Sequence, residues 1–288
     1  MTLAPAAPKT RAPGLYPDIR EAEYLAMEAI GSTHLEWLAI SPRHYRYMVE
    51  HPARETSAMG LGTALHMAVL EPDAFVNTYV LEPDPSAIAP GNEKPRATKA
   101  FKEAVKLLSA GGRVVLKQDD MDRVMNMAAA IMAHPVAKRV LEKSLLRELT
   151  IVWEQNGRLC RGRADALGAN FIADIKTTRD LKRFSPWTIT EFGLHRQAAH
   201  YENGLGILDR TIEAFYHIAV ENEPPHDVGV FVLEDSARVC GHNDCERLLA
   251  RLAVCEASGT WPGMFPDLAA GHITDWAAQE SSAEEGAE

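Results

Sequence analysis

Asp165, Asp174 and Lys176, in the stretch "RGRADALGANFIADIKTT" at 161–178, are the residues whose types and spacing suit chemistry. Asp165 ends one apolar, strand-like run, and Asp174 and Lys176 stand in the next, with a "GAN" turn between them. Side chains alternate along a strand, so Asp174 and Lys176 point to one face. Directly opposed side chains on antiparallel neighbours lie ~5 Å apart, which brings Asp165 toward that face. Two carboxylates so placed repel unless a cation sits between them. Oxygen donors select a hard divalent ion, Mg²⁺ or Mn²⁺, which keeps several waters and binds substrate phosphate. A lysine beside it can orient or deprotonate an attacking water, or stabilise charge developing on a phosphoryl group. Such a set suits phosphodiester hydrolysis. Taken alone, the three residues also describe two solvated turn carboxylates and a surface lysine.

The flanking pattern narrows the choice. Gly162 precedes Asp165 by three positions, and Gln197 and Tyr201 follow on a helical stretch at i and i+4, sharing a face. His66 stands in the helical "GTALHMAVL", and Glu148 lies before the first strand of the meander. Arg161 and Arg163 flank Asp165 and are read as pointing away from its face, where they suit phosphate contact or plain solvation equally. Lys182 and Arg183, just past the motif, suit backbone contact, as does Thr177 beside the lysine.

Around these residues the chain reads as helices, then an antiparallel meander, a helix, two strands and a closing helix. "EAEYLAMEAI" and "GSTHLEWLAI" are helical, and "SPRHYRYMVEH" starts again with Ser41 as N-cap and Pro42 in the first turn. A helix runs from about Thr63 to before Pro72, and "YVLEPD" suits a short strand. Two further helices follow, the second divided or bent at Pro135. The three meander strands span 147–178, joined by "QNG" and "GAN". "WTITEFGLHRQAAHYENGLGIL" reads as one helix. Together these predict an α/β fold with a mixed central sheet, flanking helices and an N-terminal helical layer.

The 288 residues are 46% hydrophobic and 24% charged, enough for a sizeable core. Residues 1–20 read as a flexible segment, 21–276 as one domain and 277–288 as an acidic disordered tail. No run approaches the ~18–20 apolar residues of a membrane span, and the N-terminus lacks a signal-peptide core, so a cytoplasmic protein is expected. Four cysteines without a CxxC argue against a disulfide scaffold or zinc ribbon. The net charge of −10 argues against indiscriminate nucleic-acid binding, but basic residues gather between Lys94 and Arg183 and leave room for a basic groove.

The set His66, Glu148, Gly162/Asp165, Asp174-Ile175-Lys176 and Gln197/Tyr201 resembles the PD-(D/E)xK nuclease superfamily, in its RecB-like branch. More closely, it is similar to the exodeoxyribonuclease VIII (RecE) type of phage and prophage recombination nuclease. The likeness extends to "LAISPRHYRYMVEH", "GTALHMAVLEPDAF" and "SGTWPGMF…ITDW", from about Glu21 to Trp276. It implies that Asp165 and Asp174 bind metal with the Ile175 carbonyl, and that His66 and Glu148 assist. Lys176 becomes the catalytic lysine, and Gln197 and Tyr201 position the strand or that lysine. Two Mg²⁺ or Mn²⁺ ions per site are implied, in a metal-dependent DNA exonuclease. It would digest linear double-stranded DNA 5′→3′ and leave 3′ overhangs. A single-strand annealing recombinase of the RecT/Bet kind is the implied partner, and a ring-shaped homo-oligomer the implied assembly. One departure is Asp174, where many superfamily members carry Glu. The alternatives are a nuclease of other polarity, an endonuclease of the same fold, or a non-catalytic DNA-end-binding protein.

Overall fold

The computed structural model describes residues 10–51, 57–184 and 186–267. A short strand β1 (Gly14–Tyr16) and helix α1 (Glu21–Leu25) lead into α2 (Ser32–Ile40) and α3 (Pro42–Glu50). The Ser41 hydroxyl accepts the His44 N–H at 3.2 Å, and Pro42 needs no donor at the first turn, so α3 starts where its sequence says. Then come α4 (Ser57–Leu70), α5 (Pro72–Thr78), β2 (Tyr79–Leu81), α6 (Pro85–Ile88), α7 (Lys99–Leu108) and β3 (Val114–Leu116). Helix α4 begins six residues earlier than expected, and β3, pairing parallel with β2, was not anticipated. Helices α8 (Gln118–Ala133) and α9 (Pro135–Glu142) are divided at His134, whose Nδ1 accepts the Ala137 N–H at 3.2 Å; Pro135 therefore separates two helices.

The meander follows as β4 (Leu146–Gln155), β5 (Arg158–Leu167) and β6 (Phe171–Thr178). Asn156 and Gly157, with φ of +53° and +72°, make the tight turn between β4 and β5. Next are α10 (Pro186–Glu191), α11 (Leu194–Ile207), β7 (Ala214–Glu221), β8 (Val228–Val232) and α12 (Asp235–Ser258). The single helix expected over 187–208 is thus two, because Gly193 adopts a φ of +63° that interrupts the helical path.

The sheet order is β1-β4-β5-β6-β7-β8, with β6 and β7 parallel and every other pair antiparallel. The fold is therefore the mixed α/β sheet flanked by helices that the residue pattern predicts. Gly14–Tyr16, placed in a flexible segment by its composition, is instead ordered as an edge strand, with Leu15 opposite Ile151. The acidic tail and Trp276 lie outside the described residues.

One sheet face packs α4, α8 and α9: Leu65, Met127, Ile131 and Leu141 close over Ala166, Ala173, Ile175 and Ile218. The other packs α11, where Tyr201 and Leu205 meet Ile151, Trp153, Ala164, Ile172 and Phe215. Helices α2 and α12 cover α11 in turn. Ala164 packs on the α11 side and Ala166 on the α4 side, although residues two apart share a face in a regular strand. The alternation breaks at Asp165. Glu148 stands opposite it in the β4–β5 register and has a left-handed φ of +49°, so both strands kink together. Among the described residues no helix is long and apolar enough to cross a membrane.

Candidate active site

The kink opens a fork between β5 and β6. Their ladder consists of Leu167↔Ile172 and Ala166↔Ala173 and goes no further. At the next position the strands are joined by a side chain: Asp165 Oδ2 accepts the Ile175 N–H at 2.7 Å. A backbone donor that lost its strand partner thereby orients the first carboxylate. The second, Asp174, is 2% exposed and points to the α11 face. Lys176 Nζ lies 2.6 Å from its Oδ2, close enough for an ion pair but not aligned as a hydrogen bond. Gln197 Nε2 donates to Asp174 Oδ1 at 3.1 Å and lies 3.3 Å from the Tyr201 hydroxyl, so the i, i+4 face of α11 grips the carboxylate from above. Gly162 makes that approach possible, because a Cβ there would fall 2.6 Å from Tyr201 Cδ1.

Helix α4 supplies His66. Its Nε2 donates to the Ile175 carbonyl at 3.0 Å, and its Nδ1 lies 3.4 Å from Asp165 Oδ2. Glu148 Oε2 accepts from Arg163 Nε at 2.6 Å. His66, Glu148 and Asp165 each offer a ligand atom within 4.8 Å of the others. All eight of His66, Glu148, Arg163, Asp165, Asp174, Lys176, Gln197 and Tyr201 line one cleft of about 750 Å³.

Charge explains how so many ionisable groups coexist there. Burial alone would raise the Asp174 pKa, but Lys176 and then His217 outweigh it and hold the carboxyl well below its usual range. Burial would lower Lys176; Asp174 and Asp165 reverse that and raise it, so the amine is a cation. Burial likewise opposes protonation of His66, yet Asp165 and then Asp174 lift its pKa to about 9. Glu148 is pushed up to about 7 by burial and by the charge of Asp165, against the pull of Arg163. Two internal cations, His66 and Lys176, therefore stand beside the two aspartates. Glu148 is left with incompletely balanced charge.

The remaining predicted residues divide. Arg161 is a correction: it is 7% exposed, donates through Nη1 to the Tyr24 and Met27 carbonyls, and lies 4.7 Å over the Tyr24 ring. A guanidinium so spent is not a DNA contact. Arg163 is a correction of direction, since positions two apart tend to share a face, and it opens into the cleft beside Asp165. Glu148 lies within β4, not before it. Ile175 offers its carbonyl to His66 rather than to open space. Thr177 is exposed and lines an adjoining cleft of about 780 Å³ that shares Lys176 and Gln197. Lys182 is exposed on the turn Leu181–Arg183, whose Arg183 side chain lies outside what the structure describes.

His217 escaped the sequence reading. It faces Asp174 from β7 in the parallel register, with Nδ1 3.5 Å from Asp174 Oδ2. Its one local signal is a histidine inside the apolar run "AFYHIAV". A second cluster, His195, Cys240 and Asp244, also gathers potential ligands, but Arg196 Nη1 already supplies a cation to His195 Nε2 and Asp244 Oδ2 at 3.5 and 3.4 Å.

A kinked sheet whose fork presents two aspartates and a lysine, gripped by one helix from each layer, defines a domain of the PD-(D/E)xK nuclease superfamily. The chain belongs to the family described as PDDEXK-like domain of unknown function (DUF3799), which it matches over residues 32–270. No curated protein is significantly similar to it. Among solved structures, a "Putative exonuclease" from Eubacterium rectale superposes with a TM-score of 0.60. The identity is 9%, over 91% of this chain and 98% of that chain, which shows a shared fold. A second, SSO0001, reaches a TM-score of only 0.28 at 15% identity, over 66% of this chain and 84% of that one.

Proposed function

We propose that the protein is a divalent-metal-dependent exodeoxyribonuclease that digests linear duplex DNA 5′→3′ and leaves 3′ single-stranded overhangs. The observation that carries the hydrolytic reading is the convergence of Asp165, Asp174, Glu148, His66 and Lys176 in one open cleft. The donors fit a hard cation. Three ligand atoms of His66, Glu148 and Asp165 lie within 4.8 Å of one another, Arg163 and then His66 only partly offset the charge of Glu148, and an ion bound there would displace the His66 proton. These residues, with Asp174, would hold Mg²⁺ or Mn²⁺. Such an ion supplies a Lewis acid that polarises phosphate and lowers the pKa of its water.

The chain's own groups do the rest. Lys176 is held as a cation, so it serves to stabilise negative charge on the phosphate rather than to take a proton. Asp174 aims it. Gln197 and Tyr201 fix Asp174 in turn, so the lysine's position is set by α11 as well as by its own strand. His66 bridges Asp165 and the Ile175 carbonyl and keeps the two lips of the fork at a fixed separation.

Action from an end, and from the 5′ end, is supported by the resemblance to RecE-type nucleases and by the exonuclease description of the Eubacterium rectale protein. A ring of subunits that encloses DNA would reconcile that substrate with a net charge of −10, by turning basic residues inward. A single-strand annealing recombinase is the proposed recipient of the overhang.

The test uses linear duplex DNA labelled at the 5′ or the 3′ end, beside a closed circle, with Mg²⁺ and with chelator. Release of 5′ label from linear DNA alone, abolished in Lys176→Ala, is the expected result. Cutting of the circle would replace this reading with an endonuclease. Binding of ends without cleavage under any divalent ion would replace it with a non-catalytic end-binding protein.

A further inference from the structure

His217 is fully buried, and neither ring nitrogen has a hydrogen-bond partner among the described residues. Such a group costs stability, and an apolar side chain would suit its surroundings better. Phe215 and Phe184 pack around the ring at centroid distances of 5.0 and 6.1 Å, and Ala219 follows on the same face of β7. The Nδ1 of His217 lies 3.5 Å from Asp174 Oδ2. That is too long for a made hydrogen bond. The nearer partner of the same oxygen is Lys176, at 2.6 Å.

We propose that His217 is a positioning residue that takes over Asp174 Oδ2 when Lys176 leaves it for the substrate. Lys176 has three donors, but turning them toward a phosphate draws the ammonium off the 2.6 Å contact it now makes with that oxygen. Once it swings away, a carboxylate 2% exposed would lose its nearest side-chain cation, and Gln197 on Oδ1 would be its remaining side-chain hydrogen bond among the described residues. A small rotation brings Nδ1–H of His217 into bonding distance of Oδ2 and holds the carboxylate's orientation. The loose contact in the resting protein is therefore the vacant half of an exchange. The swing to phosphate rests on the nuclease reading; the competition of Lys176 and His217 for one oxygen does not.

The test is a double-mutant cycle between His217→Leu and Lys176→Met in the full chain, read by thermal unfolding of the metal-free protein and by DNA cleavage. In the wild-type background His217→Leu should leave Tm within about 2 °C or raise it. In the Lys176→Met background, where His217 is Asp174 Oδ2's remaining partner, the same change should lower Tm by at least about 4 °C. Cleavage by His217→Leu should fall about tenfold or more, and His217→Asn, which keeps a donor, should recover much of it. Equal Tm changes in both backgrounds would overturn the proposal. So would failure of His217→Leu to fold, which would make the imidazole a packing residue, or an undiminished cleavage rate. If the wild-type protein cuts no DNA, the nuclease reading fails and the unfolding cycle still decides whether His217 and Lys176 share the carboxylate.

Discussion

Gly162→Ala probes the site through its tightest contact. The added Cβ would stand 2.6 Å from Tyr201 Cδ1 and 2.8 Å from Cε1, so the ring must retreat by about 0.8 Å to reach ordinary contact at 3.4 Å. It has little room: Tyr201 is 4% exposed and backed by Phe215, with ring centroids 6.5 Å apart. Overpacking of this kind costs about 1–3 kcal/mol, which lowers Tm by roughly 3–10 °C at this chain length. The retreat also carries the tyrosine hydroxyl off Gln197 and frees Gln197 from Asp174, both contacts being over 3.0 Å already. Misplacement on the scale of an ångström at a reacting group costs about 10²-fold in rate, so cleavage should fall ten- to a hundredfold. Calorimetry and release of end label measure the two effects. In a Tyr201→Ala background the obstacle is gone, and the Gly162→Ala penalty should shrink below about 0.5 kcal/mol. An equal penalty in both backgrounds would refute the claim that the glycine exists for the tyrosine.

Three further outcomes follow from the same geometry. Arg161→Met should cost about 1–3 kcal/mol by stranding the Tyr24 and Met27 carbonyls, while DNA affinity measured by anisotropy stays unchanged. Mn²⁺ at a hundredfold excess over its dissociation constant should stabilise the wild-type protein by about 2.7 kcal/mol in a thermal shift. Asp165→Asn and Glu148→Gln should each lose most of that gain, and its survival in both would remove His66–Glu148–Asp165 as the ion's seat. His200, 1% exposed, shares its Nε2 proton between the Ile30 and Arg161 carbonyls, and burial lowers its pKa to about 4. The unfolded chain binds that proton near pH 6.5 and the folded one does not. The contribution is therefore intact above pH 6.5 and is lost as pH falls toward 4, by on the order of 3 kcal/mol. Glu148, shifted upward, works in the opposite direction over the same window. His200→Gln isolates the histidine: its stability should fall less steeply than wild type between pH 6.5 and 4.

Asp174, Lys176, Gln197 and Tyr201 were legible in the sequence because their relations are local. A period of two on a strand and an i, i+4 pair on a helix survive any tertiary arrangement. Ser41, Pro42, Pro135 and the Asn156-Gly157 turn were legible for the same reason, each acting within four residues of itself. What stayed hidden depends on neighbours that the sequence does not bring together. Nothing local tells Arg161 from Arg163. One is consumed by carbonyls at the end of α1, about 135 residues away, and the other opens into the cleft. Gly14–Tyr16 carries too few residues for a period, and only the free edge of β4 makes it a strand. His217 reaches Asp174 through a parallel pairing across a helical crossover, whose register no turn residue specifies.

The fork itself shows why the site's two halves differ in legibility. A regular β5–β6 ladder would hide the Ile175 N–H in a backbone pair and send Asp165 to a fixed face. Glu148's left-handed φ and the kink opposite it end the ladder two pairs after the turn. The donor so released captures Asp165, the carbonyl beside it captures His66 from α4, and Asp174 remains on the opposite face for α11 to grip. The carboxylates thus come from adjacent strands yet are held by different layers of the fold. Moving either layer changes one carboxylate without the other. Tyr201 and Gln197 govern Asp174 and Lys176, while α4 governs Asp165. Substitutions in α11 should therefore alter the lysine's placement more than metal affinity, and substitutions in α4 should do the reverse.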